Sequence, residues 1–308
     1  MMPAVSASPC LAFAYGAPEA EGRYRVHCDD FCVVERSLPA AGQGEHEYLL
    51  VEKVGSNTAW IAERLADHAG VEVMAVGHAG RKDRHAKTTQ AFTIQVGLNA
   101  VTDWSTWSLP GTQIIAQSRT LKKLRPGDHL GNRFTLVLRD VRGDLAPRLE
   151  RIREQGFPNY FGPQRFGRDG QNLVDADAFL QGAKRPRHMR SLLLSAARSQ
   201  LFNEYLSRKI ANDGWNKVQV TDVGPLFGRS RDPQLGEAEL DLRGARWLQG
   251  LVREKVSASV RPLRIVPETL AFRVLGEGCW ELDFGLPPGS YATSLLREVL
   301  IGREGHHA

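Results

Sequence analysis

The order of apolar and polar residues along the chain predicts alternating strands and helices. Seven segments have the two-residue alternation or the β-branched composition of strands, namely 31–36, 48–54, 71–76, 89–96, 133–139, 270–275 and 280–284. Four segments have the period of amphipathic helices, namely 58–69, 145–154, 189–210 and 291–301. Strands toward both ends with helices clustered between them predict an antiparallel-rich α/β (α+β) domain that is interrupted by an insertion.

Two of these segments also predict which side chains are buried. In the strand at 89–96, apolar residues alternate with polar ones, which predicts a strand that is buried on one face only. Ser56 or Asn57 can cap the helix at 58–69. Four apolar residues of this helix line one face: Trp60, Ile61, Leu65 and Ala69.

The predicted insertion begins in the glycine- and aromatic-rich stretch at 157–172 and ends near 254–259. Glycines and prolines interrupt every periodic run between residues 213 and 244, so no regular structure is predicted there. The chain is therefore expected to form one domain from residues 1–154 and 259–308, with a second domain at 155–258 inserted into it.

Composition limits the kind of protein without identifying it. The chain has 308 residues, 42% hydrophobic and 24% charged, which is typical of a folded protein with about two domains. No apolar run reaches the roughly 18 residues of a membrane helix, and no secretion signal is recognisable. Four scattered cysteines do not form a disulfide framework, so a reducing cytoplasm is expected: Cys10, Cys28, Cys32 and Cys279.

The net charge of +5 is concentrated in three basic clusters. The first contains Arg81, Lys82, Arg84, His85 and Lys87 around one acid, Asp83. The second contains Arg119, Lys122, Lys123 and Arg125, and the third contains Lys184, Arg185, Arg187, His188 and Arg190. One such cluster is typical of a solvated surface. Three clusters favour a polyanionic partner, and structured nucleic acid is the leading candidate because phosphate contacts supply most of its binding energy.

Several common catalytic signatures are absent from the sequence. It has no phosphate-binding Walker loop, no dinucleotide-binding glycine motif and no serine nucleophile elbow. Cys28 and Cys32 lie near His27, but no second pair follows at the spacing of a zinc site, and strand packing explains them better. We therefore expect no metal and no cofactor.

One carboxylate stands among the cations of the first cluster. Asp83 follows the predicted strand at 71–76, and the surrounding cations favour its charged form. It could simply cap a turn and pair with Arg81 or Arg84. Alternatively, it is an anionic catalytic group in a pocket that attracts phosphodiester. Such a group can attack the anomeric carbon of a ribose, stabilise oxocarbenium character or remove a sugar proton.

Six short motifs occur in order along the chain. They are Asp-Phe-Cys-Val-Val-Glu at 30–35, Lys-Val-Gly-Ser-Asn-Thr at 53–58, Ala-Gly-Arg-Lys-Asp-Arg-His-Ala at 79–86, Gly-Asn-Arg-Phe at 131–134, Pro-Asn-Tyr-Phe-Gly-Pro-Gln-Arg-Phe-Gly at 158–167 and Pro-Gly-Ser-Tyr-Ala-Thr at 288–293. In sequence and in order they resemble the motifs of the TruD-type tRNA pseudouridine synthases. Together they cover nearly the whole chain.

The resemblance implies a cofactor-free isomerase that converts a uridine of tRNA, at position 13 in bacterial members, into pseudouridine. It implies that Asp83 is the catalytic aspartate and that Lys82 belongs to the same site. It also implies that Phe31 stacks on the target base, while the pocket is lined by Asn132, Phe134 and Phe284. Without the family, these rings predict ordinary core packing. Whether Asp83 adds to the sugar or abstracts its 2′ proton stays open.

The resemblance further implies a V-shaped pair of domains, in which a catalytic domain with a mixed, mainly antiparallel sheet carries the inserted TRUD-type α/β domain. Basic residues of both domains are expected to contact the RNA: Arg25, Arg81, Arg84, His85, Lys87, Lys122, Lys123, Arg125, Arg165, Arg168, Lys184, Arg185, Arg187 and Arg190. The sequence departs from the family in two places. The stretch between Trp215 and Trp247 is shorter than the usual insertion, and Cys32 replaces the more frequent valine.

Two other functions use parts of the same pattern. An RNA chaperone would need the basic surface but not Asp83. A glycosidase that excises uracil would need an activated water and normally a second carboxylate, and the nearest acids along the sequence are Glu72 and Asp103. The expected partner is tRNA, with no membrane and no small-molecule cofactor, and we expect a monomer because no helix lacks a role in a core.

Overall fold

A computed structural model of the chain describes residues 11–305, so Cys10 lies outside the described residues. Their strands are β1 (Glu21–Tyr24), β2 (Phe31–Ser37), β3 (His46–Val54), β4 (Val76–His78), β5 (Lys87–Gln95), β6 (Thr112–Thr120), β7 (His129–Arg142), β8 (Phe157–Pro158), β9 (Val223–Leu226), β10 (Ser259–Pro262), β11 (Arg264–Ile265), β12 (Glu268–Gly276), β13 (Cys279–Leu286) and β14 (Ile301–Glu304). Their α-helices are α1 (Thr58–Ala69), α2 (Ala146–Gln155), α3 (Gln171–Leu180), α4 (Arg187–Asp213), α5 (Leu242–Arg253) and α6 (Ala292–Val299). None of these helices is long and apolar enough to cross a membrane.

The chain divides into two compact units. Of the described residues, the sheet unit contains Glu19–Leu145, Pro267–Gly289 and 300–305. The helical unit contains residues 11–18, Ala146–Val266 and Ser290–Val299. Each unit is therefore assembled from separate stretches of the chain.

The sheet unit is built on one ten-stranded sheet. Its main path has the order β12-β13-β7-β2-β5-β3-β6, while β4 pairs with β5, and β1 pairs with β7 and β14. The pairs β2·β5 and β1·β14 are parallel and the other pairs of this sheet are antiparallel. The expectation of a mixed, mainly antiparallel sheet is confirmed.

Helix α1 covers one face of this sheet. The Asn57 side chain caps the helix by accepting a hydrogen bond from the Trp60 N–H at 2.8 Å, as expected. The buried face consists of Ile61, Ala62, Leu65 and Ala66, which pack against β3 and β5. Trp60, which the periodicity places on the apolar face, is 37% exposed and does not belong to this buried face.

Strand β5 is buried on both faces, so the prediction of a half-buried strand is wrong. Phe92 and Ile94 pack in the core beneath α1. On the opposite face, the Thr93 hydroxyl accepts a hydrogen bond from the Leu124 N–H at 2.9 Å, and Thr93 is buried as well. The loop after β6 therefore covers polar positions that the sequence pattern assigned to solvent.

The predicted strand at 71–76 is also wrong. Val73–Ala75 forms a 3-10 turn, and the strand begins only at Val76. Strand β4 pairs with Phe92–Ile94 of β5 and has three residues, so the residues before it have no strand to pair with. Met74 consequently stays 86% exposed.

The helical unit has its core between α3, α4 and α5. Buried residues from the three helices include Phe179, Leu193, Trp247 and Leu251. Two small antiparallel pairs, β9·β10 and β8·β11, complete the unit. The predicted helix at 189–210 corresponds to α4, which is longer at both ends, whereas α5 was not predicted.

The helical unit includes segments that the expected boundaries assign to the catalytic domain. Helices α2 and α6 pack together in it, and Ala14 and Tyr15 are hydrogen-bonded to it. The Ala14 N–H donates to the buried Glu298 carboxylate at 2.9 Å, and the Tyr15 hydroxyl donates to the Gly156 carbonyl at 2.6 Å. The boundaries between the two units lie near residues 18, 146, 266, 290 and 300.

Candidate active site

The loop that carries Asp83, residues 79–86, lies where β5 changes its neighbour. Lys87–Thr89 of β5 pair with β2, whereas Phe92–Ile94 pair with β4. Between these stretches the Ala91 N–H donates to the Glu35 carboxylate at 3.3 Å. The Glu35 side chain thus supplies the hydrogen bond that the Ala91 N–H would otherwise make to a neighbouring strand. The loop from β4 to β5 lies next to this break in strand pairing.

Buried polar groups hold this loop by its backbone. The Thr58 hydroxyl accepts a hydrogen bond from the Lys82 N–H at 2.8 Å and donates to the Gln90 amide oxygen at 2.8 Å. The Gln90 amide nitrogen in turn donates to the Gly80 carbonyl at 3.1 Å. Since Thr58 and Gln90 are fully or almost fully buried, the loop is anchored to the first turn of α1 and to β5.

The Asp83 carboxylate is 42% exposed and forms an ion pair with Arg25. The Arg25 side chain is only 9% exposed, and its guanidinium also pairs with Glu304 of β14 at 2.9 Å. Arg25 has a φ of +57°, a conformation that is uncommon for residues other than glycine. One buried cation therefore holds two carboxylates that are far apart in the sequence.

Lys82 and Lys53 are two further buried cations at this site. The Lys82 ammonium forms an ion pair with Glu35, and both side chains are buried. The fully buried Lys53 ammonium donates to the backbone carbonyls of Ser56 at 2.5 Å and Asp83 at 3.2 Å. Burial lowers the pKa of Lys53 to about 8, and the nearby negative charge of Asp83 opposes this shift.

The three phenylalanines of the expected pocket form one buried cluster. Phe134 and Phe284 stack with their ring centroids 5.4 Å apart, and Phe31 meets Phe134 edge to face at 6.3 Å. The Arg25 guanidinium lies over the Phe31 ring, 4.0 Å from its centroid. Phe31 is therefore 2% exposed, and the ring has no open face for another group in this structure.

Asn132 and His129 border the same region from β7. The Asn132 amide oxygen is buried and has no hydrogen-bond partner within residues 11–305, so it is available as an acceptor. The His129 Nδ1 accepts a hydrogen bond from the Gly131 N–H at 3.1 Å. Burial, and then the charge of Lys82, lower the pKa of His129, so its imidazole is neutral at pH 7.

The structure brings Asp83, Lys82 and Arg25 together, and it adds residues to which the sequence analysis assigned no role. Lys53 is the first residue of the motif at 53–58, and this motif was its signal in the sequence. Glu304 had no comparable signal. In space it is linked to Asp83 through Arg25, unlike Glu72 and Asp103, the nearest acids along the sequence.

The expected RNA contacts of the sheet unit differ in their surroundings. The Arg84 guanidinium donates to the Gly55 carbonyl at 3.2 Å, Lys87 pairs with Glu52 at 3.3 Å, and Lys123 donates to the Met74 carbonyl. Arg25 is buried instead of lying on the surface. The following residues are exposed: Arg81, Arg84, His85, Lys122 and Arg125.

The expected RNA contacts of the helical unit show the same division. Arg165 donates to the Tyr291 hydroxyl at 2.6 Å, and Arg185 pairs with Asp175 at 3.0 Å. The remaining basic residues of this set are exposed: Arg168, Lys184, Arg187 and Arg190. Within residues 11–305, no group of three or more His, Cys, Asp or Glu residues could hold a metal ion.

Comparisons with known proteins give a consistent result. A family model described as tRNA pseudouridine synthase D (TruD) matches residues 10–182, more than half of the chain. The tRNA pseudouridine synthase D of Cellvibrio japonicus is 39% identical, over 93% of this chain and 91% of the relative. That of Hydrogenovibrio crunogenus is 36% identical, over 94% of this chain and 95% of the relative, in an alignment of 330 residues. Because that alignment is longer than 308 residues, this relative contains residues that have no counterpart here.

A solved structure shows the same fold. The crystal structure of the putative tRNA pseudouridine synthase D (TruD) from Methanosarcina mazei superposes with a TM-score of 0.63 and 19% sequence identity. The match covers 96% of this chain and 95% of that one.

Proposed function

The chain belongs to the tRNA pseudouridine synthase D (TruD) family, whose members are isomerases, and we propose that it converts one uridine of tRNA into pseudouridine, at position 13 as the motifs imply. The observation that carries this proposal is the setting of Asp83. Its carboxylate is exposed, whereas the buried Lys53 binds its backbone carbonyl and its counter-ion Arg25 is itself buried. Such preorganisation is what a group that reacts with a bound sugar requires.

The proposed reaction needs no net gain or loss of atoms. The bond from N1 of the base to C1′ of the ribose breaks, the base turns, and a bond from C5 to C1′ forms. The hydrogen of C5 leaves to solvent and N1 acquires a hydrogen. Asp83 assists the cleavage either by adding to C1′ or by taking the 2′ proton, and Arg25 offsets its negative charge.

The target uridine has to leave its stacked position in the RNA, at a cost of a few kcal/mol. Phe31, Phe134 and Phe284 form a buried apolar cluster that a base can contact only where Phe31 is uncovered, and the unpaired amide oxygen of Asn132 can accept a hydrogen bond from N3–H of uracil. The guanidinium of Arg25 covers Phe31 in this structure. A base that stacks on Phe31 therefore has to displace this guanidinium from the ring.

The decisive experiment measures release of tritium from tRNA transcripts labelled at C5 of uridine, with no added metal or nucleotide. The native protein should release tritium to water and leave the RNA chain intact, with the modification mapped to position 13. Asp83→Asn removes the charge but keeps the size of the side chain. It should lower the rate on the order of 10³-fold or more, while tRNA affinity changes less than about twofold.

The same assay separates the other functions. A chaperone would bind tRNA without release of tritium, and Asp83→Asn would not change its activity. A glycosidase would release free uracil that keeps its tritium, and Glu304, which shares Arg25 with Asp83, would be the candidate second carboxylate. Either result with the native protein would refute the synthase proposal.

A further inference from the structure

We propose that a cavity beside the Asp83 loop is a subsite for a second unstacked nucleotide of the RNA, next to the target uridine. The inference rests on the proposed function, which supplies the RNA. The cavity has a volume of about 350 Å³, which lies within the roughly 300–1,000 Å³ of small-molecule sites. It lies in the sheet unit between the loop after β2, strand β3 and the loop after β6.

A short path through neighbouring residues connects this cavity to the active site. Leu38 lines the cavity and directly follows Ser37, the last residue of β2. The Ser37 hydroxyl donates to the Glu35 carboxylate at 3.1 Å, and Glu35 pairs with Lys82, the neighbour of Asp83. The loop after β6 also touches the Asp83 loop directly, since the Gly127 N–H donates to the Ala79 carbonyl at 2.7 Å.

The lining of the cavity suits a nucleobase. Leu38 and Leu121 are 40% and 57% exposed, and the half-buried Tyr48 lies between their loops. Exposed apolar side chains beside an aromatic ring form a surface on which any of the four bases can pack. A hydrogen bond from the Tyr48 hydroxyl to the Leu38 carbonyl, 3.2 Å long, holds the two walls together.

The rim of the cavity suits a phosphate. Lys122 is exposed and forms no ion pair within the part of the chain that the structure describes, whereas Lys123 is held by the Met74 carbonyl. The acid of the lining is Asp128, whose carboxylate accepts the Arg125 N–H at 2.8 Å. A site with an apolar floor and a free cation at its edge favours a nucleotide over an apolar protein segment.

The test places a negative charge in the cavity and the same charge outside it. Leu121→Glu places a negative charge in the apolar lining of the cavity. Leu98→Glu is the matched control, because Leu98 is 74% exposed on the loop after β5 and does not line the cavity. Affinity for tRNA is measured by fluorescence anisotropy, and tritium release is measured in single turnovers at saturating enzyme. Leu121→Glu should weaken binding about tenfold, the scale of one lost base contact, while Leu98→Glu should weaken it less than twofold.

A second measurement identifies the occupant. Transcripts with one abasic nucleotide at each position around the target are titrated against the native protein and Leu121→Glu. At one position, the abasic nucleotide should weaken binding to the native protein but not to Leu121→Glu. The reason is that the missing base and the Leu121→Glu substitution remove the same contact. The proposal would be overturned if Leu121→Glu and Leu98→Glu weakened tRNA binding equally. It would also be overturned if no abasic position showed coupling with Leu121→Glu, and the cavity would then bind a partner other than RNA. These binding results are independent of tritium release, so failure of the proposed function is recognised separately.

Discussion

Three cations around Asp83, namely Arg25, Lys53 and Lys82, have the opposite environment to two cations near the start of α4, namely Lys184 and Arg187. Arg25, Lys53 and Lys82 are buried and each binds a carboxylate or a backbone carbonyl. Lys184, which precedes α4, and Arg187, the first residue of α4, are exposed. Buried cations fix the geometry of a reacting group, whereas exposed cations add affinity for a polyanion. Counting charges in the sequence does not separate these two roles, but mutation does.

The largest expected effect comes from breaking the buried pair of Lys82 and Glu35. Lys82→Met leaves the Glu35 carboxylate buried without its cation, which costs about 3–5 kcal/mol of the free energy of unfolding. Urea denaturation measures this loss. The matched change at the surface, Arg187→Met, should stay within about 0.5 kcal/mol. Similar losses in both variants would contradict the distinction between the two regions.

Loss of Lys53 should affect the reaction more than the binding of RNA. Lys53→Met removes the hydrogen bond to the Asp83 carbonyl, and a displacement of about 1 Å at a reacting group can cost on the order of 10²-fold in rate. Single-turnover tritium release should fall by this factor, while tRNA affinity changes less than about twofold. Lys87→Met is the control, since Lys87 lies at the surface and pairs with Glu52. Equal loss of activity in both variants would exclude a specific role of Lys53.

The buried ammonium of Lys53 also predicts a pH dependence of stability. Its pKa is about 8 in the folded protein and 10.5 in the unfolded chain, so between these values the unfolded chain binds more protons. The contribution of Lys53 to the free energy of unfolding should therefore increase as pH rises from 8 to 10.5. Urea denaturation at pH 7.5 and 9.5 measures the change. From pH 7.5 to pH 9.5, the free energy of unfolding of the native protein should increase relative to that of Lys53→Met. A difference between the two proteins that stays constant with pH would refute this prediction.

The smallest effect is expected at the exposed cluster. Lys184→Gln combined with Arg187→Gln should reduce the slope of log affinity for tRNA against log salt by about 0.7–0.9 for each cation that contacts a phosphate. The maximal rate of tritium release should not change. An unaltered slope would show that these two residues do not contact the RNA backbone. The double variant Lys209→Gln and Arg208→Gln, farther along α4, is a control for net charge.

Much of the fold followed from local pattern. The strands at 31–36, 133–139 and 280–284 and the helices at 58–69 and 189–210 all exist, because regular alternation and helical periodicity are local properties of the chain. Strands β1 and β6 and helices α3 and α5 were not predicted. Helix α5 had a cap at Asp241 and apolar residues Trp247, Leu248 and Leu251, but Gly244 and Gly250 obscured the pattern.

The sequence by itself determined the family, through motifs in a fixed order, and it placed Asp83 within a basic loop. The tertiary structure decided which groups surround that carboxylate. Arg25 reaches Asp83 across 58 positions of the sequence. It also reaches Glu304 across 279 positions, because β1 pairs in parallel with β14 and the Gly305 N–H donates to the Tyr24 carbonyl. The burial of Lys53 and the burial of β5 on both faces also result from contacts between segments that are far apart in the sequence. These properties depend on which strands and loops meet, and long-range pairing is not encoded in any single segment.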